Sequence, residues 1–453
     1  MKLLRKEGTS EKNLPLLLMV AVGVLEFLFI TLEAQFSGIG YYLAETYVIV
    51  PSLLFLGYVL QKKQESFARR RLILATAAVA WFVIVQCIHK LSGMENHPIA
   101  TVFMVYLMAF PFAALSEDRD HAGLLWIGGI FVAASLVLVI YSGLLLLDLV
   151  PGSMTGYLFW DGARLNALWH PNIAASYFMM GIGFCAAFCA LVRKIWAKAT
   201  LIVLILIQLM AMALTNCRTT LLMTGAMLGG TLFFLIIRKG GWKRFVLGLM
   251  VAGLVLVGSF QVAGKIFRWN NDRLLASFNV SQEAEPAAKE VVIQETTGVL
   301  TGNNGQKGLA EDMRTLNGRT LIWKAALSAI RDNKRLALFG TEYAGTVISA
   351  YNSFPVVHSH NSWMETQLRM GVPGFAMALV FTLLSAWSAV KLLLSSATEL
   401  WKKIVAMFAM CVMVSGFLEP YLFISNVYYH VTDFMFFFLT GYLDFWSNFK
   451  KNP

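Results

Sequence analysis

The sequence predicts an all-α polytopic membrane protein of about twelve transmembrane helices, with one long extracytoplasmic loop that contains short helices. Three observations carry that prediction. Of 453 residues, 58% are hydrophobic and only 14% are charged, at a mean hydropathy of +0.64, more apolar material than a soluble fold of this size uses. Apolar runs of about 20 residues, enough to cross a bilayer, recur along the chain. Basic residues collect on alternate connections between those runs.

The runs lie near residues 14–32, 39–60, 72–90, 98–115, 123–148, 171–192, 199–215, 219–237, 245–263, 372–394, 402–418 and 422–446. The leading tail carries Lys2, Arg5, Lys6 and Lys12, and the second connection carries Lys62, Lys63, Arg69, Arg70 and Arg71. Later even-numbered connections carry Arg193, Lys194 and Lys198, then Arg238, Lys239, Lys243 and Arg244, then Lys402 and Lys403. The positive-inside rule therefore places both termini on the cytoplasmic side. It also accounts for the net charge of +11 without nucleic acid. The start, MKLLRKEGTSEKN, lacks a small-residue cleavage site and reads as a tail before an uncleaved first span. The five cysteines, Cys87, Cys185, Cys189, Cys217 and Cys411, lie in or beside apolar runs and spell neither a disulfide framework nor a zinc motif.

One connection differs from the rest. Residues 264–371 form a long polar segment on the outer side, and connections of that length are usually functional or disordered. Residues 281–317 are rich in Glu, Gly, Asn and Gln, which predicts mobility. Residues 319–335 predict an amphipathic helix with Trp323, Ala326, Leu327 and Ile330 on one face and Lys334 and Arg335 at its C-terminal end.

The loop ends in HSHNSWMETQLRMGVPG, residues 358–374. Ser362 and Glu365 stand at capping-box spacing and predict a helix start. Gly371 suits the left-handed position that ends this helix, and Pro373 suits the first turn of the next. His360 would thus be held on a defined turn, where an imidazole that titrates near neutral pH suits proton transfer. An interfacial hydrogen-bonding role is the plainer alternative. His358 and His360 lack a third ligand close in sequence, so no metal site is expected. Arg164 in DGARLNALWHPN, Arg218 in TNCRTT and Arg319 in NGRTLIW are basic residues at helix starts on the outer side. A guanidinium beside free helix N–H groups suits a diphosphate; snorkelling to headgroup phosphates suits Arg164 and Arg218 equally well, and a solvated helix end suits Arg319. His170 and Asn172 in HPN predict a turn into the sixth span, with Pro171 at its first position. Asp118-Arg119-Asp120 spells DxD, but in a short cytoplasmic connection with no adjoining domain.

Taken in order, HPN before a span, an Arg at an outer helix junction, G-R-x-x-x-W and then H-x-H-N with G-x-P-G resemble the O-antigen ligase and polymerase superfamily. The resemblance covers roughly residues 160–420. Members of that family are bacterial membrane glycosyltransferases that use undecaprenyl-diphosphate-linked glycans. By position, His360 resembles the family's essential histidine, the base for the acceptor hydroxyl. Arg218 and Arg319 resemble its diphosphate-binding arginines, with Arg164 a weaker match. Gly318, Trp323 and Asn361 resemble shaping residues, and the role of His358 stays open. The resemblance implies an inverting, metal-independent transfer with no cofactor, on a GT-C-like fold with outer-face catalysis in the bacterial cytoplasmic membrane. The partners it implies are a lipid-linked glycan donor, a glycan, lipid or protein acceptor, and membrane lipids. It divides the chain into N-terminal helices over 1–158, a ligase-like core over 159–420 including the loop, and a last helix and tail over 421–453.

Ligase and polymerase differ only in acceptor, and the residues leave both open. A twelve-helix secondary transporter or lipid-linked glycan flippase is the rival. Glu26, Glu45 and Asp433, in or near the apolar runs, favour it as proton-relay residues, since a charge there is costly without a purpose, although helix pairing is the reading preferred for them. The long outer loop after the ninth span and the lack of a long central cytoplasmic loop speak against it.

Overall fold

A computed structural model describes residues 66–92, 122–147, 149, 157–158, 164–165, 171–238, 240–284, 319–352, 356–420, 422–423 and 430–448. The expected spans at 14–32, 39–60 and 98–115 lie outside these residues, as do Glu26, Glu45, the DxD triplet, His170, Gly318 and most of the 281–317 segment. In chain order the elements are α1 (Ser66–Leu91), α2 (Ala122–Leu146), β1 (Tyr157–Leu158), β2 (Arg164–Leu165), α3 (Pro171–Leu191), α4 (Ile195–Thr215), α5 (Arg218–Ile237) and α6 (Trp242–Ala284). They continue with α7 (Arg319–Asp332), α8 (Lys334–Phe339), α9 (Ala344–Ala350), α10 (Ser362–Leu394), α11 (Leu400–Ser415) and α12 (His430–Asn448). Strands β1 and β2 form one short antiparallel pair, with Tyr157 opposite Leu165 and Leu158 opposite Arg164.

Among the described residues, six helical stretches are long and apolar enough to cross a membrane: Leu124–Leu146, Pro171–Leu191, Ile195–Thr215, Arg218–Ile237, Trp242–Leu274 and Ser362–Leu394. They coincide with six of the expected spans. The other described regions depart from expectation. In α1 the apolar portion is only Ala80–Leu91. The span expected at 402–418 is the 16-residue α11, and the one expected at 422–446 starts later, at His430. The span expected at 245–263 is part of a 43-residue helix. At about 1.5 Å per residue that is roughly 65 Å, about twice a hydrocarbon core. The polar residues after Ala263 keep the helix going, so residues 264–284 are helical rather than loop.

The described residues group into two compact units. The first takes in those of Met1–Ile130, Leu321–Ala397 and Val412–Pro453; the second takes in those of Phe131–Thr320 and Thr398–Cys411. In the second, α3 packs on α4 and α5, and α6 packs on α5 and α4. Helix α3 is apolar all round and buried along most of its length, as that pattern requires. Where α5 meets α6 the two backbones nearly touch: a Cβ added at Gly229 would stand 2.8 Å from the Ala252 carbonyl oxygen. Small residues permit this approach between membrane helices.

In the first unit α10 is the central element, packed by α1, α8, α9 and α12. Its 33 residues are two helices joined at Gly371 (φ 67°, ψ −177°), with Pro373 in the first turn of the second. The expected break is there. Its backbone lies in a region open to glycine alone rather than in the left-handed helical well, and any Cβ would overlap the Leu338 carbonyl. On the far side of the break, Phe381 packs with Phe423, Phe436 and Phe437 in mostly edge-to-face contacts.

Helices α7 to α9 form a small cap with its own core: Ile322, Ala325, Ala326, Ala329 and Ile330 of α7 meet Leu336, Ala344, Ile348 and Leu368. The amphipathic helix is present, but its buried face is rotated from the expected one. Leu327 is 51% exposed, and Ile322, Ala325 and Ala329 take its place. Small alanines let α7 approach closely, which large-residue periodicity does not reveal. Lys334 and Arg335 are not at its C-terminal end either. Asn333 accepts from the N–H groups of Arg335 and Leu336 and caps a separate helix, α8, which those basic residues open.

Candidate functional site

The HSHN turn owes its shape to hydrogen bonds from three directions. Below it, Asn361 rather than Ser362 caps α10: its Oδ1 accepts the N–H groups of Trp363 and Met364 at 2.9 and 3.1 Å. Ser362 instead donates its hydroxyl to the Glu419 carbonyl at 2.7 Å and accepts the Leu422 N–H at 2.9 Å. The Ser362 N–H reaches the Gly416 carbonyl at 2.7 Å, and the Asn361 amide donates to the Phe417 carbonyl at 3.0 Å. The segment after α11 is thereby laced onto the start of α10.

From the cap side, Trp323 of α7 donates its indole N–H to the Ser359 carbonyl at 3.0 Å. From within α10, buried Glu365 accepts the Ser359 N–H at 3.0 Å and the Arg369 Nε–H at 2.8 Å. Glu365 is therefore the clamp of the turn, not the partner of a Ser362 capping box. The Ser359 hydroxyl donates to the Asn361 carbonyl at 2.9 Å.

This bracing holds His360 at φ 51°, a left-handed conformation uncommon for a residue other than glycine. Its backbone N–H donates to Nδ1 of His358 at 3.3 Å, which makes that nitrogen the acceptor. The two rings meet edge to face with centroids 4.1 Å apart. The His360 ring is about one-third exposed, while its Nδ1 faces Oε2 of the buried Glu419 at 3.9 Å. An imidazole with one nitrogen toward a carboxylate and an accessible edge can accept a proton from a hydroxyl.

The arginines have distinct settings. Arg218 is half-buried at the first position of α5. A tight turn puts it there: Asn216 ends α4 at φ 50°, and the Cys217 N–H donates to the Thr215 hydroxyl at 3.2 Å. Helix N–H groups at such a start favour anions. Arg164 on β2 donates Nε–H to the Thr215 carbonyl and Nη2–H to Asn172 Oδ1, both at 2.9 Å. It braces the junction that presents Arg218, and it ties in the Asn of the HPN motif. Arg319 opens α7, one turn ahead of Trp323.

Residues 201–379 match the O-antigen ligase family model. No curated protein matches the chain. The O-antigen ligase match supports the resemblance read from the sequence, over less than half of the chain. It contains Arg218, Arg319, Trp323, His358, His360 and Asn361, and leaves out Arg164 and Glu419.

Sequence reasoning passed over several residues around the turn. Arg369 follows Glu365 at helical ion-pair spacing, a readable signal. Glu419 is the only Asp, Glu, Lys or Arg between Lys403 and Asp433, which for an apolar stretch is also a signal. His89 carries no local motif, yet it is buried: Nε2 contacts the Phe339 carbonyl at 3.0 Å and Nδ1 lies 3.4 Å from Glu342, which also accepts from Gln86. Burial pushes the Glu342 carboxyl up, but hydrogen bonds from His89 and Gln86 and the charge of Arg369 outweigh it and hold it below the ordinary value.

Proposed function

We propose that the chain is a membrane glycosyltransferase of cell-surface polysaccharide biosynthesis. It moves a glycan from an undecaprenyl-diphosphate carrier onto an acceptor hydroxyl at the outer face of the cytoplasmic membrane. The observation that carries this reading is the O-antigen ligase match, which spans Arg218, Arg319 and His360. The rigid setting of His360, on a turn tied down by Asn361, Ser359 and Trp323, supports a base that must be preorganised.

In this reading His360 takes the proton of the acceptor hydroxyl as its oxygen attacks the anomeric carbon. Arg218 and Arg319 bind the diphosphate and neutralise the charge it gains on leaving. A single displacement inverts the anomeric centre, and fixed guanidinium charge does what a divalent ion would otherwise do. Removing one such donor typically costs about 100- to 1,000-fold in rate, and a general base contributes about 100- to 10,000-fold.

The test is complementation of a deletion strain with H360N, R218A and R319A, followed by sizing of surface glycan and leaflet-resolved assay of the lipid-linked precursor. Asn tolerates the left-handed backbone of His360 and removes the base. Loss of product with precursor on the outer leaflet is expected. Wild-type product from all three variants, or precursor stranded on the inner leaflet, overturns the reading.

A further inference from the structure

We infer that Glu419 is the positioning carboxylate of His360, in an interaction that fixes which imidazole nitrogen receives the proton. The inference rests on the transfer reaction proposed above. Three observations converge on it. Glu419 is 2% exposed at its side chain, and its Oε2 lies 3.9 Å from His360 Nδ1. That nitrogen is buried and makes no hydrogen bond. The backbone of Glu419 is fixed on the same turn, with its carbonyl accepting from the Ser362 hydroxyl and its N–H donating to the Ser415 carbonyl at 3.0 Å.

Glu365 is taken by the Ser359 N–H and by Arg369. His358 meets His360 through its ring and accepts the His360 backbone N–H. Among the described residues, the carboxylate that stands 3.9 Å from His360 Nδ1 is that of Glu419.

The separation is longer than a hydrogen bond, and such contacts often tighten only when substrate is bound. Once closed, Nδ1–H donates to Glu419, which leaves the Nε2 lone pair for the acceptor hydroxyl. In the step, the O–H proton moves to Nε2 and the hydroxyl oxygen forms the new bond to the anomeric carbon. The bond from that carbon to the diphosphate breaks, and its electron pair leaves with the diphosphate. The imidazolium formed faces Glu419 in a low-dielectric setting and is stabilised until it passes its proton to water.

Glutamine at this position keeps the shape and removes the charge. The full-length chain carrying E419Q, E419D or H360N is compared with wild type in three measurements. These are glycan transfer per unit protein in the deletion strain, binding of undecaprenyl diphosphate by native mass spectrometry, and thermal melting in detergent. E419Q is expected to lower transfer about 10- to 100-fold while lipid binding and melting stay as in wild type, and E419D to recover part of the rate. Wild-type transfer by E419Q, with H360N inactive, sinks the role of Glu419 and leaves the transferase reading standing. Parallel loss of transfer, binding and melting in E419Q makes the residue merely structural and also overturns the inference. Normal transfer by H360N brings down the reading beneath it.

Discussion

Trp323 gives its indole N–H to the carbonyl of Ser359, the residue between His358 and His360, across 3.0 Å. A helix of the polar loop thus holds the histidine turn directly, and the hydrogen bond can be removed while an aromatic side chain stays in place. W323F keeps an aromatic ring, smaller than the indole, and deletes the donor. The hydrogen bond is worth about 1 kcal/mol in stability, whereas misplacing a reacting group can cost about 100-fold in rate. Transfer by W323F, measured as surface glycan per unit protein, should therefore fall far more than its melting temperature does.

Glu365 makes a different kind of contribution. Its buried carboxylate satisfies both the Ser359 N–H and Arg369. In E365A the amide and the guanidinium lose their partner together, a loss that typically costs about 3–5 kcal/mol for a buried pair. E365Q keeps an acceptor oxygen for Ser359 and should lose less. Thermal melting of the two variants in detergent checks the order, with E365A the lower.

At Gly371 the demand is on backbone and space at once: φ 67° with ψ −177°, and the Leu338 carbonyl where a Cβ would go. Strain of this kind costs about 1–3 kcal/mol before the overlap is counted. G371A should lower the melting temperature markedly and displace α8 from α10. P373A, two residues on, adds an N–H in a first helical turn, where none is needed, and should cost well under 1 kcal/mol.

Those two positions show why parts of the site are legible in the sequence. A glycine and a proline after a short helix obey local rules, and the break lies where the rules put it. Other features are settled by remote partners. Ser362 looks like the cap, but its hydroxyl is committed to Glu419 and Leu422, so Asn361 caps instead. Leu327 looks like core, but three small or branched neighbours on the adjoining face of α7 pack closer. Glu419 reaches the turn only because the segment after α11 folds back onto α10, and no spacing within the motif announces that.

Glu342 predicts a pH dependence. Its carboxyl is held below the ordinary value of 4.5, so the ionised form is favoured by folding. A depressed carboxylate contributes stability that is present above its unfolded value and lost as pH falls through the folded one. Stability of the contact between α1 and the segment that follows α8 should hold from neutral pH to the ordinary carboxylate range and drop below it. Melting scans from about pH 7 to about pH 3 should show a smaller acid-side decline in E342Q than in wild type, since the amide has no proton to gain.

Arg164 separates bracing from binding. Its guanidinium clamps the Thr215 carbonyl and Asn172, three residues ahead of Arg218 in one case and at the start of α3 in the other. If its part is to hold the junction, R164A and N172A disturb the same contact, and their costs are not additive. The double variant should then melt close to R164A alone. R164K should rescue poorly, because an ammonium cannot span two acceptors with a planar fork. R218A, at a half-buried helix start, should leave melting nearly unchanged while transfer is lost. Undecaprenyl diphosphate binding completes the comparison: R218A should weaken it at unchanged stability, and R164A should weaken it only to the extent that the junction melts.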